Sequence, residues 1–218
     1  MTSSRAREIA ATVIAAAQAL NELPVQDRID ALNEIRQALH ALSPMAAHPI
    51  DCVLWVPADS VHGNAYNPNS VAPPEMKLLE RSIEADGYTQ PIVAWREPEG
   101  SLEVVDGFHR HLVGKTPEVS ARLHGRLPVT IANADRTDLP DRMASTIRHN
   151  RARGEHSVAG MSEIVVELAR RGKTDEWIGR ELGMDPDEVR RLRQVGGLAE
   201  MFADDEFSEA WEVDNWQR

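Results

Sequence analysis

The stretch "LEVVDGFHRHLVGK", residues 102–115, constrains the fold more than any other part of the chain. An apolar strand runs straight into Asp106 and Gly107, and a helical pattern opens at Phe108 with no linker between them. A strand spliced into a helix in this way makes a concave backbone corner and places the chain among mixed sheet-and-helix proteins. Glycine at the corner lets a ligand approach the backbone closely.

The flanking sequence extends the same pattern. "IDCVLWVP" (50–57) reads as a buried strand carrying Cys52, and "GNAYNPNSVAPP" as a loop. "EMKLLERSIEADG" reads as a helix that ends at Gly87. "QPIVAW" is a strand, "REPEGS" a hairpin turn, "LEVVDG" the next strand, "FHRHLVGK" a helix and "LPVTIA" a further strand. The order is strand, helix, strand, strand, helix, strand.

Ahead of this unit, residues 4–42 read as two helices separated at Pro24. Ile9, Val13, Ile14 and Ala17 mark one face of the first; Ile29, Leu32, Ile35, Leu39 and Leu42 mark the second. Such a hairpin packs on its own domain or forms a dimer seam, which leaves room for a homodimer. Beyond the sheet, residues 138–147 form a helix, and three more are expected at 161–171, 174–182 and 186–195. Asp185-Pro186-Asp187-Glu188 is a start signal, with an N-cap acid, proline at the first helical position and a glutamate in the capping-box position. Two short helices joined by "LGMD" have the spacing of a helix-turn-helix. The expected divisions are 1–43 (helical hairpin), 50–135 (α/β core), 136–198 (helical subdomain) and 199–218 (acidic aromatic tail).

Composition narrows the classes. Hydrophobic residues make 42% and charged residues 27%, the balance of a soluble globular protein. No apolar run is long enough to span a bilayer. Residues 1–20 read as an amphipathic helix rather than a leader. A lone cysteine excludes an internal disulfide and a cysteine-rich zinc site, and a cytoplasmic location follows. The net charge of −11 argues against a protein that coats nucleic acid. Much of that charge lies in the tail, where Glu200, Asp204, Asp205, Glu206, Glu209, Glu212 and Asp214 face only Arg218. Phe202, Phe207, Trp211 and Trp216 alternate with these acids, a pattern suited either to a basic partner surface or to a helix folded on the chain's own core.

At the corner, the residue types point to phosphate. Arg110 grips phosphate oxygens in a fork that lysine cannot copy. His109 donates a hydrogen bond or shuttles a proton near neutral pH. Asp106 holds magnesium, accepts a hydroxyl proton or caps the helix. Helix-start N–H groups add to the attraction. As a bare pattern this is weak, because a solvated corner has the same letters. The histidines show no i, i+4 pair of the kind a helical zinc site uses. In the last expected helix, Arg190, Arg191 and Arg193 suit DNA. Yet residues 161–198 hold eight acids against seven bases, so DNA contact and a purely structural role stand about even.

The ordered series "NPN", "LLERSIEADGYTQPIVA", "EVVDGFHR" and "TIRHNRARGEH", followed by a helix-turn-helix, resembles the ParB/sulfiredoxin family over about residues 50–198. The resemblance implies an α+β fold with a small mixed-sheet core. It also implies a corner that binds nucleotide phosphates: CTP in ParB, ATP in sulfiredoxin, ADP or ATP in the free-serine kinases. Carried over, Gly107, His109 and Arg110 bind phosphate, Gln90 and Pro91 flank the pocket, and Asn67, Arg148, Asn150 and Arg151 complete it. Mg²⁺ falls to Asp106 and Asn150. The N-terminal hairpin, "IRHNRARGEH" and "LAEMFADDEFSEAW" are more closely similar to IbrB-like prophage-gene co-activators. Their usual genomic neighbour implies a phosphoadenosine-phosphosulfate-reductase-family partner.

The chain departs from these patterns in places. ParB's Gly-Glu-Arg-Arg reads Gly107-Phe108-His109-Arg110 here, and its Glu-Asn reads His149-Asn150, which removes a metal-holding carboxylate. The serine kinases' catalytic glutamate has no counterpart in "HGNAYNPNS". Phe108 replaces sulfiredoxin's cysteine. The expectation is a nucleotide-binding regulator controlling partner or DNA association. The alternatives are a nucleotide hydrolase or small-molecule phosphotransferase with Asp106 and His109 as catalytic groups, and a DNA-binding co-activator with a vestigial pocket.

Overall fold

Branched side chains build the sheet in runs, Ile92-Val93, Val104-Val105 and Val129-Thr130-Ile131, and the fold follows from how its strands pair. The computed structural model describes residues 3–64, 73–132, 138–151 and 158–201; side chains at 73, 149–151, 158, 159 and 197–201 are outside the description. The chain divides into two compact units, Met1–Arg153 and Gly154–Arg218.

The first unit holds five strands: β1 (Leu54–Pro57), β2 (Val61–His62), β3 (Ile92–Arg96), β4 (Leu102–Asp106) and β5 (Arg126–Ile131). Their order in the sheet is β1-β5-β3-β4-β2. β3 and β4 form an antiparallel hairpin, with Gly100 N–H closing its turn on the Glu97 carbonyl at 2.9 Å. β5 runs parallel to β3 and antiparallel to β1, and β2 runs parallel to β4. The sheet is therefore mixed, as the α+β expectation has it. One face buries Ile92, Ala94, Leu102, Val104, Leu127 and Val129 against Tyr88, Phe108 and Leu123. Among α3 (Pro73–Asp86), α4 (Phe108–Gly114) and α5 (Pro117–Arg122), a second cluster of Ile83, Val113 and Val119 also packs against Tyr88 and Leu123.

All five residues of β4 are buried, because α6 (Leu139–Arg151) also packs on that strand. Sequence reading grouped this helix with the helical subdomain. Its Met143, Ala144 and Ile147 are buried, and the division between units falls after Arg153.

The N-terminal helices are α1 (Ser4–Ala17) and α2 (Val25–Ala41), joined by a 3-10 turn at Gln18–Glu22. α2 makes several polar contacts with the core. Asn33 Nδ2 donates to the Trp55 carbonyl at 2.7 Å, and Trp55 N–H donates to Asn33 Oδ1 at 3.0 Å. One side-chain amide thus pairs with the backbone of edge strand β1 as a neighbouring strand would, covering groups that otherwise invite pairing. Arg126 adds two bonds to Asp30, at 2.7 and 3.0 Å.

Two sequence expectations change at β1. The strand starts at Leu54, after a 3-10 turn at Pro49–Asp51, and Cys52 is half-buried ahead of it rather than a core thiol within a strand. Burial, followed by the neighbouring Asp51 charge, pushes that thiol's pKa up.

The second unit packs α7 (Val158–Arg170), α8 (Asp175–Leu182) and α9 (Pro186–Met201) around Val165, Leu168, Ile178, Leu182, Val189 and Leu192. Thr174 caps α8 by accepting from Trp177 N–H at 3.2 Å. Gly183 closes the helix in the left-handed region. Asp185 opens α9, its carboxylate accepting from Asp187 N–H at 2.8 Å. α9 does not stop at 195. A Cβ at Gly196 would stand 2.6 Å from Val166 Cγ2 and 2.7 Å from Ser162 Oγ, so this glycine is where α7 and α9 approach rather than a helix stop.

Candidate functional site

The corner between β4 and α4 is held by one guanidinium. Arg110 Nη2 lies 3.2 Å from Asp106 Oδ2 and donates to the Pro91 carbonyl at 3.2 Å; Nη1 donates to Gln90 Oε1 at 3.2 Å. Four residues singled out from sequence, Gln90, Pro91, Asp106 and Arg110, are therefore brought together. Gly107 has φ +90°, and a Cβ there would stand 2.9 Å from Arg110 Nη2. The positive φ disfavours any side chain at this position, and an added Cβ would displace the Arg110 guanidinium. Arg110 Nε is buried without a partner.

Asp106 is 5% exposed. It does not cap α4 through its side chain; Gly107 is the N-cap, and Asp106 turns to Arg110. With only seven residues, α4 offers a short dipole. His109 is half-buried, its ring edge-on to Phe108 with centroids 5.7 Å apart. Burial, then the charge of Arg110, lowers its pKa, so the neutral imidazole is favoured.

Residues that sequence reading passed over complete the corner. Tyr88 OH donates to the Arg110 carbonyl at 2.6 Å, and burial pushes its pKa up to about 12. His111 is 4% exposed; its Nε2 donates to the Val61 carbonyl at 3.0 Å, and Lys115 Nζ donates to the same oxygen at 2.7 Å. His111 Nδ1 is left buried and unpartnered. Asn64 Nδ2 donates to the Val104 carbonyl at 2.6 Å and reaches Thr146 Oγ1 at 3.4 Å, while its Oδ1 has no partner. Four residues before Thr146, Arg142 Nη1 meets Glu103 Oε2 at 2.6 Å and Glu97 Oε1 at 3.6 Å. The spacing 142, 146, 150 on α6 was the available signal for this row.

Asn67 lies outside the described residues, as do the side chains of Asn150 and Arg151. Arg148 is half-buried on α6. Among the described residues, no group of three His, Cys, Asp or Glu side chains is placed to hold a metal ion. The corner offers Mg²⁺ one carboxylate, Asp106, which already touches Arg110. A metal there would depend on ligands brought by the nucleotide.

In the second unit, Arg190, Arg191 and Arg193 are exposed on α9. Arg190 and Arg193 line a shallow depression of about 300 Å³ with Gln194. Acids restrain two of them: Arg193 Nη1 is 2.7 Å from Asp175 Oδ1, and Arg190 Nη1 is 3.3 Å from Asp187 Oδ1.

Residues 156–204 match the IbrB-like C-terminal HTH domain, which makes the second unit a helix-turn-helix of that class. YbdM of Escherichia coli (strain K12) is 55% identical over 197 residues, covering 90% of this chain and 93% of that protein. The chain belongs to the same family as YbdM. Among solved structures, the chain is similar to the chromosome-partitioning protein ParB of Caulobacter crescentus. In the complex with CTP-gamma-S, identity is 18% and the TM-score 0.38, covering 69% of this chain and 83% of that one. With the centromeric parS site, the values are 18% and 0.43, covering 65% and 70%. SbnI of Staphylococcus aureus is 24% identical with a TM-score of 0.32, covering 41% and 34%. Among the described residues, no helix is long and apolar enough to cross a membrane.

Proposed function

We propose that the chain is a DNA-associated regulator whose helix-turn-helix contacts DNA through α9. The observation that carries this reading is the exposed set Arg190, Arg191, Arg193 and Gln194 on the second helix of the motif. Arginine and glutamine contact both base edges and phosphates. Asp175 and Asp187 compete with DNA for two of these arginines, which limits non-specific affinity. The test is recovery of bound fragments from sheared genomic DNA by the full chain. Enrichment of a recurring site, lost with Arg191→Ala, is expected; a uniform background overturns the reading.

The second element of the proposal is that a nucleotide at the β4–α4 corner governs this association. ATP, ADP and CTP, with Mg²⁺, are the ligands the sequence resemblance implies. Arg110 Nε supports the reading as a buried, unpartnered donor beside the bare Cα of Gly107. A phosphate there would satisfy Nε and compete for the exposed bond to Gln90, while Asp106 and the Pro91 carbonyl keep the guanidinium in place. Calorimetric titration with ATP, ADP, CTP and GTP, with and without Mg²⁺, tests this. One nucleotide should bind saturably and Arg110→Lys, which keeps the charge but loses the fork, should weaken it several-fold; no binding by any of them overturns this element. A phosphoadenosine-phosphosulfate-reductase-family partner belongs to the same proposal, and co-purification with the full chain tests it.

A further inference from the structure

The end of α2 and the turn before β1 line a cavity of about 400 Å³ that neither the corner nor the helix-turn-helix uses. It lies on the β1 side of the sheet, three strands from β4. Arg36, His40, Ser43 and Asp51 form its polar wall, and Leu39, Ile50 and Val53 its apolar one. Small-molecule sites fall in the range of about 300–1,000 Å³ and combine apolar surface with a few fixed polar groups.

The polar groups here are fixed from behind. Arg36 Nη1 donates to Asn33 Oδ1 at 3.2 Å, and Asn33 is itself tied to the Trp55 backbone. His40 Nδ1 lies 2.7 Å from Asp51 Oδ2, and Ser43 Oγ donates to Asp51 Oδ1 at 3.0 Å. Both oxygens of Asp51 are therefore engaged by neighbours. Among the described residues, Arg36 bonds only to the neutral amide of Asn33, so the unmatched charge of the cavity is positive. Its Nε and Nη2 form the side-on edge of the guanidinium and are left for a ligand. Beside this charge stands uncovered apolar surface, with Leu39 52% and Ile50 63% exposed.

We propose that this cavity binds a small molecule carrying one carboxylate on an apolar body. The Nε–Nη2 edge of Arg36 takes the two carboxylate oxygens as a fork. Leu39, Ile50 and Val53 cover the body. A ligand without the carboxylate leaves Arg36 unmatched, and one without the body leaves Leu39 and Ile50 in water. An amine is a poorer ligand, because Asp51 already has its partners. This site is separate from the nucleotide and DNA contacts proposed above and rests on neither.

Two-dimensional NMR of the isotope-labelled full chain tests the proposal, with hexanoate and benzoate as probes. Hexanamide, hexylamine and acetate are the controls. At neutral pH, hexanoate or benzoate is expected to shift the amides of Leu39, Ile50 and Val53 and the Nε–H of Arg36 saturably. The three controls are expected to bind at least several-fold more weakly. Arg36→Lys, which keeps the charge and loses the fork, should weaken binding several-fold. Ile50→Glu places a carboxylate at the rim and should abolish the shifts. Its thermal midpoint should stay that of the wild type, since Ile50 is largely exposed. No saturable shift with either probe at millimolar concentration overturns the proposal, as does equal binding of hexanamide or hexylamine. Equal binding of acetate makes the cavity an oxyanion site without an apolar requirement and overturns the stated ligand class. Shifts that persist unchanged in both variants place the probe elsewhere and overturn it too.

Discussion

Arg110 and Asp106 stand four residues apart across the strand-to-helix corner, and Nη2 of the first lies 3.2 Å from Oδ2 of the second, with Asp106 buried. This contact ties the end of β4 to the first turn of α4. The same guanidinium reaches back to the Pro91 carbonyl ahead of β3.

Arg110→Ala removes the cation beside a buried carboxylate and one donor from the Pro91 carbonyl. Loss of about 1–3 kcal/mol of stability is expected in denaturant unfolding. Arg110→Lys keeps the charge but not the fork, and should fall between the two. An Arg110→Ala chain as stable as the wild type would show that the corner does not depend on this contact.

Asn33 serves both backbone groups of Trp55. Asn33→Leu keeps the bulk and loses two bonds, each worth about 1 kcal/mol net. Unfolding followed by tryptophan fluorescence should show a loss of about 1–2 kcal/mol. An unchanged midpoint would mean that water replaces the amide at the edge of β1 without cost.

How much of this was legible in sequence depends on the length scale of each signal. β3, β4 and β5 were readable because each carries several branched residues between clear turn signals. β2 has two residues and α5 six, too few to show a period. α6 was visible as a helix but not as the cover of β4, since periodicity shows an apolar face and not what it meets. α9 runs past the expected end at 195, and the close approach of α7 and α9 at Gly196 is not something a sequence pattern shows. At the corner, Asp106, Gly107 and Arg110 were legible as a strand-to-helix junction. Tyr88, Asn64 and Arg142 were not, because their partners stand 22 to 82 positions away.

The His62–Glu97 pair sets a pH window. His62 Nε2 is 2.7 Å from Glu97 Oε2, and that hydrogen bond raises the pKa of His62. Its contribution is complete below the ordinary histidine value of 6.5 and fades as pH rises through the raised value. Glu97 is lowered by its hydrogen bonds from Ser101 and then His62; its contribution is complete above 4.5 and is lost as pH falls through the lowered value. His62→Gln should therefore lower the thermal midpoint most between pH 4.5 and 6.5, and less at pH 8. The pair is partly exposed, so the effect should be about 1 kcal/mol or less. A wild-type-to-variant difference that does not change with pH would contradict the account.

Asp175 and Asp187 hold Arg193 and Arg190 by ion pairs. Asp175→Asn with Asp187→Asn removes two negative charges beside the arginines proposed to contact DNA and releases both of them. Affinity for a random-sequence duplex should rise roughly tenfold or more at low salt, and the rise should shrink as salt is added. Equal affinity in the double variant would show that these acids do not restrain DNA contact.

The central claim is that α9 meets DNA, and the most direct test is a fluorescence-anisotropy titration of a labelled duplex at stepped salt concentrations. The full chain is compared with the combined Arg190→Ala, Arg191→Ala and Arg193→Ala variant. The account predicts that log affinity falls linearly with log salt for the wild type. In the variant that slope should shrink by about one for each arginine that contacts phosphate. No binding at low salt, or a variant whose affinity and slope match the wild type, would contradict it.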